Sequence, residues 1–166
     1  DHPSGDLDLP HAIVVRRTYD SLIISTGMKS KQRSMDEKHD KIHYDVTFPG
    51  SVHIVELGKT LHSEFVTHPD GICPGGQNTV FMDYDRIIAP VVVRTAKPGD
   101  RIQPLGMSGT KKIKSYFIDE KVPRNVRKET LLLLDRESVI WIAGMRLSER
   151  VKISDKTRRA LKVEIV

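Results

Sequence analysis

Apolar and polar positions alternate over short runs through most of the chain, and the runs are cut by Pro, Gly, Asn and Asp. Period-two alternation over four to eight residues is the mark of a half-buried strand. His11–Arg17 (HAIVVRR) and Ser21–Ser25 (SLIIS) are β-branched and short, and predict two strands with Tyr19 and Asp20 near the turn. Ile42–Phe48 and Ser51–Leu57 alternate on either side of Pro49-Gly50, which predicts a hairpin with His43 and His53 on opposite arms. Thr60–Thr67, Thr79–Asp83, Val91–Thr95 and Leu161–Val166 read as further strands. Leu131–Leu134 and Val139–Ile142 read as a hairpin around Asp135–Ser138. Residues 1–10 are polar with two Pro and one Gly and read as a linker, followed by a single domain over 11–166. Residues 26–41 have no period and are dense in charge, so they read as a charged insertion. The late stretch differs in kind. Ile113, Tyr116 and Phe117 recur at i, i+3, i+4, predicting a helix from about Thr110 to Lys121. Pro123 ends that helix and opens a short second one with Arg124, Arg127 and Lys128. Many short strands with late helices predict an α+β fold, a β-sandwich-like core with a helical layer. The lack of regular strand–helix alternation argues against a doubly wound sheet.

Charge changes the picture by its placement. The 166 residues carry 27 Lys+Arg and 22 Asp+Glu, a formal +5. Arg94 to Lys128 alone holds ten Lys/Arg and three acids, a net +7, so the remainder sums to −2. A partner drawn by charge is therefore anionic and docks on the basic motif 97–128. Gly106 and Gly109 bracket a turn, and Ser108 or Thr110 is placed to cap the helix behind it. Backbone N–H groups at such a helix entrance, with Lys111 and Lys112 alongside, predict a phosphate cradle. Arg101, Lys114 and Lys121 extend the basic surface, and Arg146 and Arg150, flanking the later hairpin, join it. The competing reading is a solvated basic face with no specific partner.

The remaining chemistry is mostly exclusion. One cysteine, Cys73, rules out an internal disulfide; it fits a reducing compartment, and a cytoplasmic location is expected. No apolar run approaches the roughly 20 residues of a membrane span, and DHPSGDLDLP is no signal peptide. The start at Asp1 rather than Met suits a piece of a longer protein. Ser4-Gly5-Asp6-Leu7-Asp8 lacks the second glycine and final serine of an S-G-G-x-D-S pyrophosphate loop. His2, His11, His39, His43, His53, His62 and His68 show no ligand spacing, so no metal site is predicted. Cys73 has no base nearby in sequence, and Asp83, Asp85, Asp119 and Glu120 read as caps or surface carboxylates. Trp141 reads as core or interface, and Tyr116 and Phe117 as core rather than base-stacking residues. No catalytic constellation emerges.

PGDRIQPLGMSGTKKIKSYFIDEKVPRNVR (98–127), preceded by PVVVRT (90–95) and followed by LLLLDRESVIWIAGMRLSERVKIS (131–154), resembles the C-terminal domain of the tRNA(Ile)-lysidine synthetase family. The likeness is strong over 84–166, and YDSLIIS (19–25) is similar to the entry of that domain. The resemblance implies a parent ligase that uses ATP with Mg to adenylate the wobble cytidine of tRNA(Ile) and attaches lysine to give lysidine. That chemistry sits in an N-terminal domain bearing the S-G-G-x-D-S loop. The loop is absent here, so the fragment itself is not expected to catalyse or to need a cofactor. The resemblance further implies a domain that holds the tRNA acceptor stem, in a fold similar to one domain of the phenylalanyl-tRNA synthetase β chain. An A-form stem is met through phosphates and its shallow groove. Arg124, Arg127 and Arg146 suit bidentate contacts to phosphate or base edges. The rival expectation is a scaffold whose basic face packs on the catalytic domain of the same chain without touching RNA; a homodimer is a further partner left open.

Overall fold

The computed structural model describes residues 4–10, 13–18, 21–26, 42–66, 76 and 78–166. Three early strands, β1 (Ser4–Leu9), β2 (Ile13–Thr18) and β3 (Ser21–Thr26), form an antiparallel sheet in that order. Both β-branched runs are therefore strands. The linker expected at 1–10 is corrected: Ser4–Leu9 pairs residue by residue with Ile13–Thr18, because Leu7 and Leu9 supply an alternation that Pro and Gly obscure. Residues 27–41 of the charged insertion, the Cys73 loop and His2, His11, His39 and His68 lie outside the described residues.

The strands that follow are β4 (His43–Val46), β5 (Gly50–Ile54), β6 (Lys59–Val66), β7 (Thr79–Asp83), β8 (Val91–Thr95), β9 (Arg101–Ile102) and β10 (Lys111–Lys112). Helices α1 (Ile113–Asp119) and α2 (Arg124–Glu129) come next, then β11 (Leu131–Leu134), β12 (Val139–Ile142), β13 (Arg146–Leu147) and β14 (Ala160–Ile165). One sheet has seven strands in the order β10-β9-β12-β11-β8-β4, with β13 also on β12; the other has four, β5-β6-β14-β7. The hairpin expected around Pro49-Gly50 does not form. β4 pairs with β8 and β5 with β6, so the chain crosses here from one sheet to the other. Alternation gives each strand a buried face but does not choose its neighbour. His43 and His53 consequently lie in different sheets.

The two sheets enclose one core: Val46, Val91, Val93, Leu131, Leu133 and Trp141 from the larger meet Ile54, Leu61, Met82, Leu161 and Val163 from the smaller. Leu132 and Leu134 alternate to the opposite face, where they join Ile102, Val139 and Ile142 against Ile113, Tyr116 and Phe117 of α1 and Val122 beyond it. β11 is thus covered on both sides, which is why it reads as four consecutive leucines rather than an alternation. A bulge reconciles its partner: Leu133 pairs with Trp141 and Leu134 with Val139, leaving Ile140 as the extra residue. The bulge lets Val139 face the helices while Trp141, two residues on, faces the inter-sheet core. The observed architecture is the predicted α+β sandwich with a helical layer.

α1 starts three residues later than predicted. Lys111 and Lys112 pair with Ile102 and Arg101 instead, and neither Ser108 nor Thr110 caps; the N-cap residue is Lys112, with no side-chain cap bond. α1 ends in a Schellman turn: Lys121 N–H donates to Ile118 O at 3.0 Å and Val122 N–H to Phe117 O at 2.9 Å. Lys121 takes the left-handed position at φ +51°. Pro123 then opens α2 as its N-cap residue, as expected.

Candidate nucleic-acid interface

The basic motif folds as a hairpin and two helices at the β10 edge of the larger sheet. β9 and β10 form the hairpin stem, in which Arg101 stands directly opposite Lys112. Like charges at directly opposed positions destabilise a strand pair. Alternation sends Ile102 and Lys111 toward the helical layer and Arg101 and Lys112 away from it. The cations therefore occupy both sides of this sheet edge rather than one helix face.

Internal partners sort eight of the ten basic residues. Arg94 forks onto Asp100, with Nη1 and Nη2 each 2.8 Å from a carboxylate oxygen. Burial alone would push the Asp100 carboxyl up; the Arg94 bonds and the Lys97 N–H outweigh it and hold it below the ordinary range. Lys111 forms an ion pair with Asp119 and lies over the Tyr116 ring, 5.9 Å from its centroid. Arg127 Nε donates to Val122 O at 2.6 Å, tying α2 to the end of α1. Arg101 is exposed and, among the described residues, its side chain holds only Thr110, Nε to Oγ1 at 3.1 Å. Lys112, Lys114, Lys121 and Arg124 are exposed, and their side chains have no hydrogen-bond or ion-pair partner among the described residues.

Two of the predicted residues are placed elsewhere. Arg150 is corrected from surface to internal clamp: Nη1 and Nη2 fork onto Asp135 at 3.1 and 2.9 Å, Nη1 donates to Ser138 Oγ at 2.7 Å, and Glu137 stands 3.0 Å away. Burial would raise the Asp135 carboxyl, but Arg150 and the N–H groups of Ser138, Glu137 and Ile88 together lower it. Arg146 lies opposite Ile142, on the helix side of the sheet, and its buried Nε has no partner among the described residues.

The expected cradle of unoccupied amides is also corrected. Gly106, at φ +85°, donates its N–H to Glu149 Oε2 at 2.9 Å, and the first amide of α1, Ile113, donates to Asp100 O at 2.9 Å. Gly109 is exposed. That Gly106 bond, reinforced by Lys152, keeps the Glu149 carboxyl below its ordinary range. What remains for an anion is side-chain charge. Sequence reasoning passed over Leu105 and Met107, which flank Gly106 and stand in solvent; two apolar residues inside a polar turn were the available signal. Among the described residues no three His, Cys, Asp or Glu side chains gather as a metal site, and no helix is long and apolar enough to cross a membrane.

The family model described as the TilS substrate C-terminal domain matches residues 91–164. The chain is 35 % identical over 162 residues to the tRNA(Ile)-lysidine synthase of Caldanaerobacter subterraneus, covering 97 % of this chain and 33 % of that protein. It is 34 % identical over 168 residues to the tRNA(Ile)-lysidine synthase of Geobacter sulfurreducens, covering 99 % and 33 %. The chain thus spans about a third of the length of these relatives. A crystal structure of a TilS C-terminal domain superposes with a TM-score of 0.63 at 26 % identity, over 74 % of this chain and 94 % of that one. With a matching family model, relatives that align over nearly its whole length and a shared fold, the chain carries a TilS substrate C-terminal domain at residues 91–164.

Proposed function

We propose that this chain is the tRNA-holding part of a lysidine-forming ligase and grips the acceptor stem of tRNA(Ile). Arg101, Lys112, Lys114, Lys121 and Arg124 meet its phosphates, and Arg146 meets a phosphate or a base edge. Adenylation of the wobble cytidine with ATP and Mg, and attachment of lysine, belong to the rest of the parent enzyme, which works in the cytoplasm. The observation that carries this reading is the opposition of Arg101 and Lys112 across the β9–β10 stem, with no acid paired to either among the described residues. A fold keeps such a repulsive pair at a cost in stability, and an anion lying across both relieves it. The names of the relatives supply the substrate. Neutralising five phosphates gives a log K against log salt slope of about −4.

Fluorescence anisotropy with labelled tRNA(Ile), titrated at several salt concentrations, tests this. Wild type should show that slope, and Lys112→Glu/Lys114→Glu should bind at least tenfold more weakly at ~0.1 M salt while keeping its fold. A double variant that binds tRNA as well as wild type overturns the reading. Binding to the catalytic part of the parent with none to RNA establishes the scaffold instead.

A further inference from the structure

The loop joining β9 to β10 carries two apolar side chains that the fold leaves uncovered. Leu105 is 41 % and Met107 47 % exposed, and neither belongs to either core cluster. The loop is nonetheless pinned. Leu105 N–H donates to Leu147 O at 3.0 Å and Met107 N–H to Pro104 O at 2.9 Å. Gln103 Nε2 donates to Met107 O at 3.0 Å, and Gly106 N–H to Glu149 Oε2 at 2.9 Å. Glu149 is fixed in turn by its own N–H to Gln103 O at 2.8 Å and by an ion pair with Lys152. A backbone held this firmly has little further freedom to lose on binding, so apolar contact made by the tip is retained as affinity.

The stem below the tip is cationic, Arg101 facing Lys112. One ligand seated on this hairpin meets positive charge at the base and hydrocarbon at the end. It must therefore be a polyanion that also exposes apolar surface. In RNA the base edges are polar, and Leu and Met set against them would strip water from groups they cannot satisfy. The base faces are apolar, and they are open only where stacking stops, at a helix end or an unstacked nucleotide. Leu and Met are among the residues that pack against unstacked base steps in other nucleic-acid complexes. We propose that Leu105 and Met107 pack on the open base face at the end of an RNA stem, while Arg101 and Lys112 hold the phosphates beside it. This rests on the RNA-binding reading above and adds to it a preference for stem ends.

Two RNA stems of one sequence test it. Both are closed at the far end; one has its near terminal pair open and the other has that end covered by a tetraloop. Wild type should bind the open stem about tenfold more tightly. Leu105→Ser/Met107→Ser should lose that preference, bind the tetraloop stem as wild type does, and melt as wild type does, because the loop is held by backbone and Glu149 bonds. Leu105→Met/Met107→Leu should keep the preference. A serine variant that retains the preference, or that weakens both stems equally, overturns the proposal, as does weakened binding to a protein partner with RNA binding untouched. Arg101→Glu/Lys112→Glu should weaken both stems together; if it weakens neither, the RNA-binding reading itself falls.

Discussion

At the scale of single residues, Lys121 and Arg150 show how misleading a count of positive charges is. Lys121 closes α1 from the left-handed region, at φ +51°, where glycine is the usual occupant. An L side chain there costs roughly 1–2 kcal/mol. Glycine recovers part of that, less its larger entropy loss on folding, so Lys121→Gly should stabilise by about 0.5–1 kcal/mol. The same substitution should weaken tRNA binding a few-fold; thermal melts and anisotropy on one sample check both signs. Arg150 has the opposite character. Its fork is spent on Asp135, whose side chain is fully buried. Arg150→Ala strands that carboxylate and should cost about 2–3 kcal/mol, toward the low end for a broken buried pair because the arginine is partly exposed. Asp100 and Asp135 both titrate below the ordinary carboxyl value in the folded chain. The unfolded chain takes up protons first as pH drops through about 4. The stability these carboxylates lend is therefore complete above that pH and is lost as pH falls through their folded values. Melting temperature should decline on the acid side, and less steeply in Arg150→Ala, where Asp135 no longer has its arginine.

At the scale of elements, the two-residue strands matter most. β9 and β10 convert what reads as the first turn of a helix into a hairpin stem. They do so because Ile102 is needed in the core under α1, and its cross-strand partner must be extended. The stem places Arg101 against Lys112, so Lys112→Glu should raise stability by about 0.2–1 kcal/mol while lowering affinity for tRNA. Chemical denaturation beside RNA titration measures both, and a variant weaker in stability as well as in binding would contradict the repulsion. α1 itself follows its sequence pattern closely: Ile113, Tyr116 and Phe117 are buried, Lys114 and Ile118 face solvent. The pair β11–β12 shows the limit of that pattern, since four leucines admit either face and the bulge at Ile140 decides which side of the sheet Trp141 enters.

At the scale of the whole molecule, the layers divide the labour: an inter-sheet core fixes the larger sheet, and its outer face carries the helices. The basic motif of the chain follows β8 and ends at β11, neighbours in the middle of that sheet, so its ends are anchored where the core is continuous. Much of this was already legible in the order of residues. Alternation and turn signals mark β4 to β8 and β14, apolar runs around a turn mark β11 and β12, the 3.6 period marks α1, and the clustered lysines mark the charged region. Each is a local property, set by the backbone period and by neighbours a few residues apart. Pairing, exposure and charge balance are not local. That β4 and β5 part into different sheets, that Arg94, Lys111 and Arg150 are neutralised by Asp100, Asp119 and Asp135, and that the Gly106 amide is taken by Glu149 all depend on contacts that no short window contains. Sequence by itself determined that this protein has strands, a late helix and a cationic stretch. Only the tertiary structure decided which cations still face outward, because a charge is silenced by the group packed beside it, not by the residue next to it in the chain.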